Sequence, residues 1–396
     1  MSEQDHDSHH PIVVLSQSER RLSLMAVISC IGMSGIGFAL TFPLLGLGME
    51  RMGVPSSLMG VNAAMFAVAT LTFAPLVPKL MGHMRTAPLL VLSILISIIS
   101  LLSFKAFENI WFWFLLRYIL GASLAVLFVI SEIWINQLAG NQVRGRVLAL
   151  YAMALAAGFA AGPVILLITG PRGWMPFIVG AVILGLAAIP PLLARRLAPQ
   201  IDHTQLSGFY SMVRKAPTPL LATILFAAFQ GGVFNFMPIY GVRTVFTENN
   251  VAQLLVALAL GSFCCQMLVG WLADKVNKRN LMIVLAFLSG LGALALPFVI
   301  SHPLLLFPTL FLWGGLFEGL YTVALSDVGA RFSGADLAVI SAAMATAFGV
   351  GELFGPVIVG LAMEFWGHSG FPAALAAMAA MYCCFALYRS LKPRSS

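Results

Sequence analysis

Runs of about 20 apolar residues, each long enough to cross the hydrocarbon of a bilayer as a helix, recur along this whole chain. They lie at about 22–46, 57–79, 87–104, 111–136, 147–170 and 174–194, and again at about 217–240, 251–273, 280–300, 303–327, 337–362 and 371–388. Backbone polar groups inside hydrocarbon must pair within their own segment, so runs of this length dictate helices. The expected fold is all-α and integral to the membrane, with twelve transmembrane helices. Composition agrees: of 396 residues, 60% are hydrophobic and 9% charged, against roughly 25% charged in a soluble domain. Soluble globular, disordered and coiled-coil classes are thereby excluded.

The second six runs repeat the first. Gly162-Pro163 in the fifth run recurs 193 positions later as Gly355-Pro356 in the eleventh, and Pro78-Lys79 after the second run is mirrored by Asp274-Lys275 after the eighth. This predicts two six-helix pseudo-repeats, an N-terminal bundle at 22–194 and a C-terminal bundle at 217–389. A tail at 1–21, a linker at 195–216 and a tail at 390–396 complete the chain. Parallel repeats suit a transporter whose solute site lies between the halves near mid-membrane. The first tail lacks the basic and apolar regions of a signal peptide. It reads as solvated, with metal binding by His6, His9 and His10 as the alternative.

Of 22 Lys and Arg residues, only Arg51, Lys105, Arg172 and Arg243 fall on the side opposite the linker, and Arg117 lies inside a run. The positive-inside rule therefore places the linker and both termini in the cytoplasm of a plasma (inner) membrane protein. The net charge of +7 is dispersed in short clusters, which excludes a nucleic-acid-binding face. Cys30, Cys264, Cys265, Cys383 and Cys384 all sit in apolar runs, with no Cys/His spacing that fits zinc, and read as packing residues. No catalytic constellation, phosphate loop or cofactor motif is found, so neither an enzyme nor a resident cofactor or metal is expected.

Ionisable residues inside spans cost roughly 2.5–3.5 kcal/mol each and need a partner or a wet cavity. Four stand out: Arg117, Glu132, Glu318 and Glu352. Arg117, Gly121, Leu124, Phe128 and Glu132 share one helical face, yet about 22 Å of helix separates Arg117 from Glu132. Glu132 reaches the cytoplasmic margin and reads as a gate residue, with Arg85, Arg144 and Arg146 as candidate partners. A proton site and a solvated helix end are its alternatives. Glu352 comes close to the depth of Arg117, so those two can pair. Carboxyl groups inside apolar spans are candidates for the coupling proton, Glu318 first, because Arg117 beside Glu352 would keep that carboxylate ionised whereas no basic residue shares the Glu318 run, then Glu352. A structural hydrogen bond between helices is the competing role for both. Arg117, Gln230, Asn235, Phe311, Glu318 and Tyr321 form the candidate solute cavity, with Gln266 a further intramembrane amide.

The segment Gly270-Trp271-Leu272-Ala273-Asp274-Lys275-Val276-Asn277-Lys278-Arg279 resembles the loop signature of the major facilitator superfamily: glycine, small residue, aspartate, then close basic residues. The resemblance implies a gate at Asp274, Lys275 and Arg279, joined by Glu132, Arg144 and Arg146. The first-half copy keeps Lys79, Gly82 and Arg85 but has Pro78 near the aspartate position. Arg117 and Gly121 resemble the family's arginine motif, with Leu120 where many proton-coupled exporters carry glutamine. Gly158, Gly162 and Pro163 are similar to the antiporter motif, and Gly351, Gly355 and Pro356 form its second copy. Close helix packing through small residues explains these glycines equally well.

The implied protein has the major facilitator fold and moves a small solute by alternating access as a monomer in the bilayer, by proton-coupled export. Facilitated or proton-coupled uptake is the alternative, and a non-transporting receptor or scaffold the competing class. The first run contains no Asp or Glu, so proton coupling must use other spans.

Overall fold

The computed structural model describes residues 16–138, 144–197, 215–332 and 334–391. Among them every regular element is helical. In chain order the helices are α1 (Gln17–Arg51), α2 (Ser56–His83), α3 (Thr86–Ala106), α4 (Ile110–Leu138), α5 (Arg144–Thr169) and α6 (Met175–Leu193). The second set is α7 (Pro217–Val242), α8 (Ala252–Lys275), α9 (Lys278–Val299), α10 (Pro303–Arg331), α11 (Gly334–Trp366) and α12 (Gly370–Leu391).

Among the described residues, ten segments qualify as spans by length and hydropathy alone, not the expected twelve. The difference lies at two places. α5 is 26 residues long, Arg144–Thr169, but is counted only through its shorter apolar stretch, Met153–Thr169. Val339–Arg389 reads as one segment because a short 3-10 turn, Gly367–Ser369, joins α11 to α12 without a break.

Local chemistry sets the helix ends. Ser16 caps α1 and Glu19 returns the bond to the Ser16 backbone, the reciprocal arrangement of a capping box. The helix therefore starts inside the stretch expected as tail. Asn277 caps α9 by accepting from the Arg279 and Asn280 backbone amides. Pro75 and Pro78, each lacking a backbone donor, coincide with the 3-10 turn that interrupts α2. Gly53, Gly170, Gly173 and Gly367 have positive φ, and all lie in turns on the face opposite the linker, called here the far face. Residues 1–15 and 198–214, with His6, His9, His10 and most of the linker, lie outside the described residues, as do the side chains of Arg144 and Arg146.

Within the N-terminal half, α1 packs along α5 and α4, α2 along α4, and α3 along α4 and α6. The C-terminal half repeats this with α7 along α11, α8 along α10, and α9 along α10 and α12. The halves meet through α2 with α11, α1 with α7, and α5 with α8.

The Gly-Pro repeat sits where two of these contacts are tightest. A Cβ on Gly162 would strike the Ala39 and Leu40 backbone of α1, and one on Gly355 the Ala228 backbone of α7. Gly158 and Gly351 make the same approaches one turn earlier, to Gly32 and to Ile224. The two halves thus build their α1–α5 and α7–α11 contacts alike. Gly355→Ala is expected to destabilise the protein by about 1–3 kcal/mol through overpacking, read as a lowered Tm in detergent. Gly329→Ala, whose Cβ would meet nothing within 4 Å, should leave Tm unchanged.

Candidate functional site

Arg117 of α4 is buried to 1% exposure between the halves. Its Nη2 donates to Asn235 Oδ1 of α7 at 2.6 Å, and its Nη1 to Asn62 Oδ1 of α2 at 3.4 Å. The guanidinium carbon lies 5.4 Å from the centre of the Phe42 ring of α1, within range of a cation–π attraction. Asn235 Nδ2 donates to the Gly231 carbonyl one turn earlier at 2.8 Å, which fixes the amide so that its oxygen faces the cation.

Glu352 of α11 packs over Gly231, where a Cβ would lie 3.0 Å from its Oε2, and it is the electrostatic neighbour of Arg117. Among the described residues the two make no direct ion pair, because the Asn235 and Asn62 amides take the guanidinium.

Next to this cluster, Gln230 of α7 turns its side-chain amide toward Glu318 of α10, which is half-buried. Gln230 Oε1 and Asn62 Nδ2 are buried without a hydrogen-bond partner. A native interior leaves few such atoms, so a donor and an acceptor are available to something entering the interface. Tyr321, one turn beyond Glu318, stacks on Phe226 of α7 at 5.1 Å and meets Phe348 of α11 edge-on at 6.4 Å. Phe311 lies further toward the far face, where its backbone is pressed against Gly261 of α8. Glu132 is exposed at the linker end of α4 and shares its surroundings with Tyr151 and Tyr321. Measured by helical rise from the far face, Arg117 lies about 10 Å down, Glu318 about 22 Å and Glu132 about 33 Å. Polar groups thus run from the far third of the membrane to the linker face.

The far face carries two ion-pair clusters that sequence reasoning missed. Glu50, at the end of α1, accepts two bonds from Arg243, at the end of α7, at 2.8 and 2.7 Å, and Arg243 also donates to Ser56 Oγ of α2 at 2.9 Å. Glu248, in the α7–α8 turn, accepts from Arg51 at 2.9 Å and from Arg172 at 3.0 and 3.1 Å. Each half supplies one acid and the basic partner of the other's acid. The Arg172 guanidinium, and then Arg51, hold the Glu248 carboxyl below its ordinary value. Glu50 and Arg243 are 193 residues apart, the same offset that relates Gly162 to Gly355. Applying that offset to the scarce charges of the far face would have found them.

No comparable link joins the halves on the linker face among the described residues. Asp274 is exposed, Lys275 lies over the Trp271 ring at 3.9 Å, and Arg279 donates to the Ala386 carbonyl of α12 at 3.2 Å. The loop signature contacts its own half here. Also among the described residues, no group of His, Cys, Asp or Glu is placed to hold a metal ion.

Two repeated helical bundles meeting across a polar interface define a multi-pass membrane protein of the transporter type. The sequence profile described as Major Facilitator Superfamily matches residues 22–249 and 246–396, and the chain belongs to that family of secondary transmembrane transporters. Its relatives include the uncharacterized MFS-type transporter YfkF of Bacillus subtilis (strain 168), 24% identical over 350 residues, covering 87% of this chain and 89% of that protein. The uncharacterized MFS-type transporter Ent638_1421 of Enterobacter sp. (strain 638) is 25% identical over 285 residues, covering 71% and 73%. A bacterial homologue of the human lysosomal transporter Spinster, in an inward-facing and unoccupied conformation, shares the fold with a TM-score of 0.72 at 14% identity, over 94% of this chain and 95% of that one. The nucleoside transporter NupG shares it with a TM-score of 0.70 at 16% identity, over 93% and 98%.

Proposed function

We propose that this protein exports a small solute in exchange for protons, by alternating access, as a monomer in the plasma (inner) membrane. The observation that carries this reading is the line of Glu352, Glu318 and Glu132 between the halves, on the linker side of the two ion-pair clusters that hold the far face together. Such a line suits proton carriage, because a carboxyl group beside a cavity is one of few side chains able to take and release a proton there. Glu318 is the primary proton carrier and Glu352 the second, with Arg117 the fixed cation that Glu352 answers to. Gln230, Asn235, Tyr321 and Phe311 complete the solute-facing set. Asp274, Lys275, Arg279, Glu132, Arg144 and Arg146 form the linker-face gate, which closes when the far face opens. Export rather than uptake is favoured by the similarity of Gly158, Gly162 and Pro163 to the antiporter motif.

The test is flux in proteoliposomes across a panel of solutes, with and without a pH gradient. Glu318→Gln should abolish pH-driven net transport while sparing solute exchange. Full proton-driven accumulation in both Glu318→Gln and Glu352→Gln would contradict proton carriage by either. Orientation has its own check. A cysteine at Glu108 should react with an impermeant thiol reagent in intact cells and one at Lys215 should not; the reverse pattern would invert the topology.

A further inference from the structure

A cavity of about 540 Å³ opens on the far face of the N-terminal half, outside the solute interface. Its rim carries Arg51, Lys105 and Arg172, and its floor Phe104, Trp113 and Phe177. Those cations are three of the only four on this side of the chain, a side from which the positive-inside bias removes basic residues. Their convergence on one cavity goes against that bias. The floor is apolar and fixed. Phe104, Trp113 and Phe177 are buried, and the Trp113 indole N–H is already committed to the Phe104 and Phe107 carbonyls at 3.1 and 2.8 Å.

Charge is left over at the rim. Lys105 pairs with Glu108, which also lines the cavity, and Arg51 and Arg172 share the single carboxylate of Glu248. Three cations therefore face two carboxylates while the far face is closed. Glu248 belongs to the C-terminal half, so opening the far face withdraws it and leaves Arg51 and Arg172 without an acid.

We propose that this cavity binds a phosphate-type anionic head group over its apolar floor, and that the bound anion takes Arg51 and Arg172 from Glu248 and so favours far-face opening. A ligand that binds the open state better than the closed one shifts the balance by that difference in affinity. The control of opening rests on the alternating-access reading above, whereas the binding itself does not. A phosphatidylglycerol head group and free inorganic phosphate share the required chemistry.

Binding is tested by native mass spectrometry of the full chain in detergent with phosphatidylglycerol or phosphatidylcholine. Phosphatidylglycerol adducts should be retained about tenfold better, and Lys105→Gln with Arg172→Gln should remove that preference. Lys215→Gln, on the linker face, should keep it, and Lys105→Gln alone should weaken it should the double variant fold poorly. Equal retention of the two lipids, or a preference untouched by these variants, would overturn the site.

Opening is read from labelling of Ser56→Cys by an impermeant thiol reagent, in a variant with the native cysteines replaced. In phosphatidylcholine vesicles, added phosphatidylglycerol should speed labelling on the order of threefold, but not in the double variant. Acceleration by inorganic phosphate alone supports the same site with a soluble ligand. If lipid binds selectively but neither anion changes the labelling, the control of opening is wrong. If labelling never changes under any condition, including breakage of the far-face ion pairs, the alternating-access reading fails instead.

Discussion

Arg117→Gln is expected to be among the most damaging single substitutions in this protein. It removes the cation that satisfies Asn235 and Asn62 and leaves Glu352 buried beside neutral amides. Breaking a buried charge arrangement by deleting one partner costs about 3–5 kcal/mol, so Tm in detergent should fall steeply and transport should be lost. Removing both charges leaves neither unanswered. Arg117→Gln with Glu352→Gln should therefore recover much of the stability lost in Arg117→Gln, without recovering transport. If the losses of the two single variants simply add in the double variant, Arg117 and Glu352 are not coupled.

The second large effect lies at the far face. Glu50→Gln should weaken far-face closure by on the order of 1–2 kcal/mol, roughly tenfold in the ratio of closed to open, because the bond to Arg243 is two-pronged and partly shielded. Glu248→Gln should add to it, since its partners Arg51 and Arg172 are distinct from Arg243. The readout is labelling of Ser56→Cys from the far side, as Ser56 is buried at this junction. Unchanged labelling in the Glu50→Gln, Glu248→Gln double variant would show that these pairs do not hold the face closed.

The pH dependence of Glu248 follows from the sign of its shift. A carboxyl held below its ordinary value contributes fully above that value, about 4.3 for Glu, and is lost as pH falls through the lowered one. Its share of far-face closure should thus be flat from about pH 8 to 5 and weaken only as pH falls below the ordinary Glu value. Loss of that share near neutral pH would contradict the Arg172 and Arg51 pairing.

The helices were legible because each must satisfy its own backbone in lipid, which writes long apolar runs into the sequence. Gly162 and Gly355 exposed the repeat, since a close helix crossing admits no side chain there. Span counting by hydropathy missed the boundary at Gly367–Ser369, because the 3-10 turn there runs on from one helix into the next without a break. The central site was legible where an ionisable residue interrupts a run, as at Arg117, Glu318 and Glu352. Asn62 escaped notice because one uncharged amide among apolar neighbours disturbs the pattern little. The far-face clusters were overlooked for another reason. Glu50 and Arg243 lie at helix ends and Glu248 in a turn, where a charge is unremarkable, and the fold brings them within hydrogen-bond distance of their partners.

In the proposed cycle the halves alternate between two closures, the far-face pairs holding one of them. Spin-label distances on both faces of one preparation test it most directly, with Glu108→Cys and Ser301→Cys on the far face and Arg196→Cys and Asp336→Cys on the linker face. In the Glu50→Gln, Glu248→Gln background the far-face distance should lengthen and the linker-face distance shorten together. Both distances unchanged, or both lengthened, would contradict it.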